Sequence, residues 1–169
     1  MKVTGAVWKF PQDDINTDQI RRKNYAHLPL KIQATHCLEG LDPAFAAKVA
    51  AGDILVAGRN FGAGSSTPAY LALIELGIKA IVAESFARVF FRMSISGGLL
   101  LMPCPGILDF ANTGERIELD TVAGQLRNLT TGQTLNSTPL PSFLREMVEL
   151  GGEKPYLKAR LAAEAGAVL

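Results

Sequence analysis

The sequence predicts an α/β fold with a mixed sheet flanked by helices, and three observations carry that reading. Short apolar runs at Asp53-Ile54-Leu55-Val56-Ala57 and Ala80-Ile81-Val82-Ala83 alternate with helix-length patterns, as parallel strand–helix units require. Near the C-terminus, Arg116-Ile117-Glu118-Leu119-Asp120 and Gln125 to Leu129 alternate with period two around Gly124, which describes a small antiparallel meander. Between them, glycines follow each helical pattern at Gly77, Gly97 and Gly98, where a helix stop belongs.

Taken in order, Val3 to Phe10 alternates like a strand, and residues 11–18 form a polar loop opened by Pro11. Residues 19–35 hold the basic run Arg21-Arg22-Lys23, then Tyr25, His27 and Pro29, and fit a short helix followed by an irregular loop. Leu41 to Ala50 reads as a helix with Asp42 as cap and Pro43 at its first position. The strand at 53–57 leads into a glycine-rich loop at 58–68, a helix over Ala69 to Leu76, the strand at 80–83 and a helix over Phe86 to Ile95. Leu99 to Met102 is apolar, and Pro103-Cys104-Pro105-Gly106 turns the chain before the meander. Residues 141–150 read as an amphipathic helix stopped by Gly151-Gly152, and 154–169 as an alanine-rich helical tail.

With 169 residues the chain suits one domain, long enough to bury a core without disulfides or metal. Its net charge of +1 leaves no surplus to attract a polyanion, which argues against nucleic acid as a partner. The two cysteines, Cys37 and Cys104, lack nearby second ligands and read as buried free thiols. No window has the length of a membrane span and no long apolar signal core opens the chain, so the expectation is a cytoplasmic protein with no membrane partner.

The chemistry concentrates in Gly58-Arg59-Asn60-Phe61-Gly62-Ala63-Gly64-Ser65-Ser66-Thr67-Pro68. A glycine-rich turn entering a helix presents backbone donors and a positive dipole end to an anion, with carboxylate or phosphate as the expected guest. Pro68 suits a first helical position and Thr67 its N-cap, which leaves Ser65 and Ser66 on the loop. The alternative is an ordinary tight turn capped by Ser66 or Thr67. No Gly-Lys-Ser follows and the spacing is not Gly-x-Gly-x-x-Gly, so a nucleotide is not the first choice.

This loop and its surroundings resemble the small subunits of the isopropylmalate, homoaconitate and related dehydratases, equivalent to the swivelling last domain of aconitase. The matching runs are Asn16-Thr17-Asp18-Gln19-Ile20, Gly52-Asp53-Ile54, the loop from Gly58 to Ser66, Gly77-Ile78-Lys79-Ala80, Ser85-Phe86-Ala87-Arg88, Phe90-Phe91-Arg92 and Gly151-Gly152. They span roughly residues 3–152, with 153–169 as a tail, and imply a swivelling β/β/α domain comprising residues 1–169.

The resemblance implies half of a hydro-lyase. A separate large subunit would carry a 4Fe-4S cluster on its own cysteines, and this chain would bind no cofactor or metal alone. The assembly would be a heterodimer or heterotetramer. The reaction would be the reversible dehydration of an isopropylmalate-like hydroxy acid: a proton leaves a carbon beside a carboxylate, and the hydroxyl departs to the cluster iron. The family's base is a serine alkoxide, and Ser65 falls on that position. Gly64, Ser66, Thr67 and Asp18 would face the substrate. By local rules alone Asp18 is a helix N-cap instead.

One departure matters. The family usually follows its two serines with arginine and an acidic residue, and the arginine grips a substrate carboxylate through its planar fork. Here Thr67-Pro68 stand in their place. The substrate then has a neutral substituent at that point, or Arg21, Arg22 or Lys23 reaches its carboxylate, or catalysis is lost and the chain is a carboxylate-binding or regulatory partner. The basic run also fits a solvated turn. Met93 and Ser96 stand where the family favours asparagine. Arg88 reads as a ligand or loop holder or a helix-surface ion pair, and His27 as a pocket or surface histidine.

Overall fold

The computed structural model describes residues 1–64 and 67–166. Its strands are β1 (Lys2–Phe10), β2 (Ile54–Ala57), β3 (Ala80–Ala83), β4 (Leu100–Pro103), β5 (Arg116–Asp120), β6 (Gln125–Asn128) and β7 (Thr134–Asn136). They form one sheet in the order β4-β3-β2-β1-β5-β6-β7. From β1 to β4 all pairings are parallel, whereas β1, β5, β6 and β7 pair antiparallel. The meander therefore continues the main sheet across β1. Residues 134–136, unassigned in the sequence reading, add its third strand.

The helices are α1 (Thr17–Ile20), α2 (Leu30–Ala34), α3 (Phe45–Lys48), α4 (Tyr70–Glu75), α5 (Arg88–Ser96), α6 (Ile107–Phe110), α7 (Ser142–Glu149) and α8 (Glu153–Gly166). Strands β2 and β3 are buried at every position, as strands covered on both faces must be, and their continuous apolar composition follows from that. Helix α4 touches both α2 and α5, and α7 packs on α5. The helix expected at 41–50 shrinks to the single turn of α3. Asp42 spends its side chain on the Ala44 N–H (2.9 Å), an Asx turn that delays the helix. The delay seats Phe45, fully buried, edge-on against Trp8 and Phe10 at centroid distances of 5.3 and 5.2 Å.

Two other helices start later than their patterns predict, both for reasons at the sheet's end. Phe86 bridges Phe61 through bonds at Ser85 and Ala87 on either side of it, so α5 begins at Arg88. The Ala69 N–H donates to the Thr67 carbonyl (2.7 Å) in a tight turn, so α4 begins at Tyr70. Ala69, not Thr67, flanks the helix, and Pro68 precedes its first turn. Register pairs Phe10 with Ala57, Ala57 with Ala83 and Ala83 with Pro103, so four carboxyl ends of parallel strands meet at one edge. Ligands of open α/β sheets bind outside that edge.

Phe45→Ala is expected to lower unfolding free energy by about 3–5 kcal/mol, because a fully buried ring leaves a cavity between β1 and α3. Urea denaturation with an unchanged m-value measures it.

Candidate functional site

Three loops converge beyond the carboxyl ends of β1, β2 and β3, and backbone hydrogen bonds join them. The Ile15 carbonyl accepts from the N–H groups of Gly62 (2.7 Å) and Ala63 (3.2 Å), and the Thr17 N–H donates back to the Ala63 carbonyl (2.9 Å). On the other side the Phe61 N–H donates to the Ser85 carbonyl and the Ala87 N–H to the Phe61 carbonyl, both at 3.0 Å. Asp13 accepts the Arg59 N–H (2.6 Å), Ser85 Oγ accepts the Asn60 N–H (2.9 Å), and Asn60 Nδ2 donates to Asp14 (2.7 Å). Every backbone N–H from Arg59 to Ala63 thus has a partner, which fixes the entry to the serines.

Two glycines in this stretch are required by geometry. Gly62 has φ of +81°, and a Cβ there would overlap the Phe90 ring. Gly64 has φ of +97° and is exposed, with only Asn16 and Thr17 side-chain atoms near its missing Cβ. Backbone at positive φ is nearly free for glycine and costly for other residues. Ser65 and Ser66 lie outside the described residues.

Asn16, rather than Asp18, caps α1: its side chain accepts the Gln19 N–H (2.8 Å) while Gln19 Oε1 accepts the Asn16 N–H (2.9 Å), a reciprocal capping box. Asp18 is left on the exposed first turn, where it accepts the Lys23 N–H (2.8 Å). Asp18 and Arg22 share a polar cavity of about 490 Å³ with Asn16, Lys23 and Gly40.

The structure separates the two arginines. Arg22 is exposed and pairs with Glu39, Nε to Oε1 at 3.4 Å. Glu39 also receives the Tyr25 hydroxyl (3.0 Å) and meets His36 Nδ1 at 2.7 Å, while the Tyr25 and His36 rings stack at 4.0 Å. Arg21 is buried, and its Nη1 donates to Gln33 Oε1 at 2.7 Å. Gln33 was not among the residues singled out in the sequence, where it is one polar position in a short helix.

The remaining candidates scatter. His27 and Arg88 are exposed, and among the described residues no ion pair forms at Arg88. Met93 and Ser96 line a cavity of about 670 Å³ between α5 and the α7–α8 junction, with Tyr70, Arg92 and Gly151. Among the described residues no group of three or more His, Cys, Asp or Glu could hold a metal ion. Burial pushes the Cys37 thiol up to about 12, partly opposed by the Arg21 charge, and burial pushes Cys104 up to about 11. Neither is a ready thiolate ligand, so these residues do not fit an iron–sulfur cluster. No helix is long and apolar enough to cross a membrane among the described residues.

A parallel sheet edge carrying a glycine loop, with cations on neighbouring turns, is the α/β class whose members bind ligands at that edge. The aconitase C-terminal domain matches residues 2–105. The 3-isopropylmalate dehydratase small subunit of Thermodesulfovibrio yellowstonii is 42% identical over 97% of this chain and 98% of its own length. The isopropylmalate/citramalate isomerase small subunit of Methanocaldococcus jannaschii is 43% identical over 95% of this chain and 96% of its own. A crystal structure of 3-isopropylmalate dehydratase from the latter organism superposes with a TM-score of 0.90, at 34% identity over 99% of both chains. The chain belongs to the small subunits of the 3-isopropylmalate dehydratases, within the aconitase superfamily of hydro-lyases.

Burial pushes the Glu39 carboxyl up, but hydrogen bonds from His36 and Tyr25 and the charges of His36 and Arg22 outweigh it and hold the group below its ordinary 4.5. A depressed carboxylate contributes stability above its unfolded value and loses it as pH falls through the folded one. Thermal melts from pH 6 downward should therefore show a fall below about pH 4.5 that Glu39→Gln flattens. Gly62→Ala should cost about 3 kcal/mol or more by chemical denaturation, since it combines positive φ with overlap on Phe90.

Proposed function

We propose that this chain is the small subunit of a cytoplasmic dehydratase that reversibly dehydrates an isopropylmalate-like hydroxy acid together with a large subunit; its relatives are named as small subunits of 3-isopropylmalate dehydratase and of isopropylmalate/citramalate isomerase. The observation that carries this reading is the glycine loop bonded on both sides to its neighbours, at the edge where four strand ends meet. In this reading the 4Fe-4S cluster implied by the resemblance is carried by the large subunit; among the described residues no group of three or more His, Cys, Asp or Glu could hold a metal ion. This chain supplies the other wall of the site.

In this reading Ser65 removes the proton from the carbon beside a substrate carboxylate. A serine hydroxyl is a weak base, so its alkoxide needs a site in which the developing charge is met by donors. The loop's glycines keep Cβ atoms out of the approach to the backbone, and the fixed Arg59 to Ala63 stretch keeps the loop from relaxing when substrate arrives. Gly64, Ser66 and Thr67 contact the substrate beside it. Asp18 lies with Arg22 in the polar cavity next to Asn16, and both face substrate in this reading; Arg21 is buried and does not line that cavity. The large subunit closes the site and pairs with this chain as a heterodimer or heterotetramer.

Reconstitution with a large subunit tests the reading by following the absorbance of the alkene product. Ser65→Ala should lower kcat at least about 100-fold without preventing assembly; full activity in that variant excludes Ser65 as the base. Thr67→Arg should shift the preference between isopropylmalate and citramalate, and identical kcat/KM ratios for the two before and after the change would show that position 67 does not select substrate.

A further inference from the structure

Arg22, Tyr25 and His36 converge on the carboxylate of Glu39. The Tyr25 hydroxyl donates to Oε1 at 3.0 Å, Arg22 Nε pairs with the same oxygen at 3.4 Å, and His36 Nδ1 meets Oε2 at 2.7 Å. The Tyr25 and His36 rings stack at 4.0 Å with 17° between their planes, so the two groups that hold the carboxylate also hold each other. An exposed ion pair contributes little to stability, and the Arg22 side chain is 53% exposed. What such a cluster supplies is orientation.

The backbone beneath the carboxylate is strained to place it. Leu38 has φ of +56°, a left-handed conformation that is costly for a bulky side chain, and it is fully buried. Its N–H donates to the carbonyl of Ile20, the last residue of α1 (3.0 Å), and its own carbonyl accepts from Leu41 and Asp42, both at 2.9 Å. The turn that presents Glu39 is therefore held on both sides. Gly40 follows and lines the polar cavity shared by Asp18 and Arg22; a Cβ there would stand 3.4 Å from Arg22 Nη2. Because the first N–H of α1 donates to the Ala63 carbonyl, a continuous path of bonds runs from the glycine loop through α1 and Leu38 to Glu39. With Nε turned to Glu39, both Nη groups of Arg22 lack a hydrogen-bond partner among the described residues.

We infer that Glu39 is a positioning residue for the reaction: it holds Arg22 at the wall of the polar cavity so that the free Nη fork meets the anionic end of the substrate. Tyr25 and His36 hold Glu39 in turn. The inference deepens the dehydratase reading, in which Arg22 faces substrate, and rests on it. A guanidinium fixed through Nε presents its two Nη groups as a planar pair, the geometry that an oxyanion accepts. Glu39 itself stays off the substrate, since like charge would repel it, and acts only through the arginine.

The test uses the complex with the large subunit, with isopropylmalate as the probe, and compares Arg22→Met, Glu39→Gln, Tyr25→Phe and the double variants that combine either of the last two with Arg22→Met. Arg22→Met should raise KM roughly 10- to 100-fold with a smaller change in kcat. Glu39→Gln keeps the shape and removes the charge that orients the fork, and should raise KM roughly 3- to 10-fold, again with little change in kcat. In the Arg22→Met background the same change should move KM less than about twofold, because nothing is left to orient. Tyr25→Phe keeps the ring on His36 and removes one donor to Glu39, so it repeats the test with a gentler change: KM should rise roughly 2- to 5-fold, and that rise should vanish without Arg22. Effects that multiply in the double variants would overturn the positioning role, as a merely structural contribution would persist without the arginine. An unchanged KM in Arg22→Met or in Glu39→Gln, with Ser65→Ala inactive, would also overturn it and leave the dehydratase standing. A fully active Ser65→Ala would remove the dehydratase's base instead, whatever Glu39 does. Should Glu39→Gln fail to assemble while Tyr25→Phe leaves KM unmoved, Glu39 is structural and the inference falls.

Discussion

The carbonyl of Ile15 accepts two backbone N–H groups, from Gly62 and Ala63, and the geometry of the site hangs on that junction. Two donors can reach one carbonyl only because Gly62 turns the chain through positive φ, and Gly62 can sit there only because it leaves room for Phe90. The junction in turn places Asn16 to cap α1 and aligns Thr17 with Ala63. Phe61, fully buried between Phe86 and Phe90 with ring centroids at 6.3 and 5.5 Å, anchors the same loop from below. Apolar packing and backbone pairing thus fix one short segment against two others, and Asn16, Thr17 and Gly64 inherit their positions from it.

Much of the fold is legible in the sequence because its signals are local. The apolar runs at 54–57 and 80–83 and the alternation at 116–120 and 125–128 declare their strands. Gly77 at φ of +95° ends α4 as its pattern predicts. What the sequence hides is decided by contacts between distant segments. The helix at 86 starts two residues late because Ser85 and Ala87, on either side of Phe86, are taken by Phe61. Helix α6 and strand β7 are too short for periodicity to declare them, and β7 exists because β6 supplies its partners.

The site divides along the same line. Its loop is readable from spacing, and the Asn16-x-x-Gln19 capping box could have been read as well, since it needs only residues three apart. Arg21-Arg22-Lys23 is opaque in sequence. Three adjacent cations read as a solvated turn, yet the fold buries the first, pairs the second with Glu39 and leaves the third exposed. Burial is a property of what α2 and its preceding loop bring across, and no local pattern reports it.

The position of β1 also governs how the chain comes into being. Lys2–Phe10 is synthesised before either of its partners and borders Ile54–Ala57 on one side and Arg116–Asp120 on the other. The parallel partner is synthesised well before the antiparallel one, and translation at roughly 5–20 residues per second leaves a gap of seconds between them. During that gap the nascent sheet has an open edge at β1, a template for pairing with another chain. Lys2 and Lys9 lie on that strand, and their charge discourages such pairing until Arg116 to Asp120 arrive. The strand that joins the two halves of the finished sheet is thus also where the unfinished one is most in need of protection.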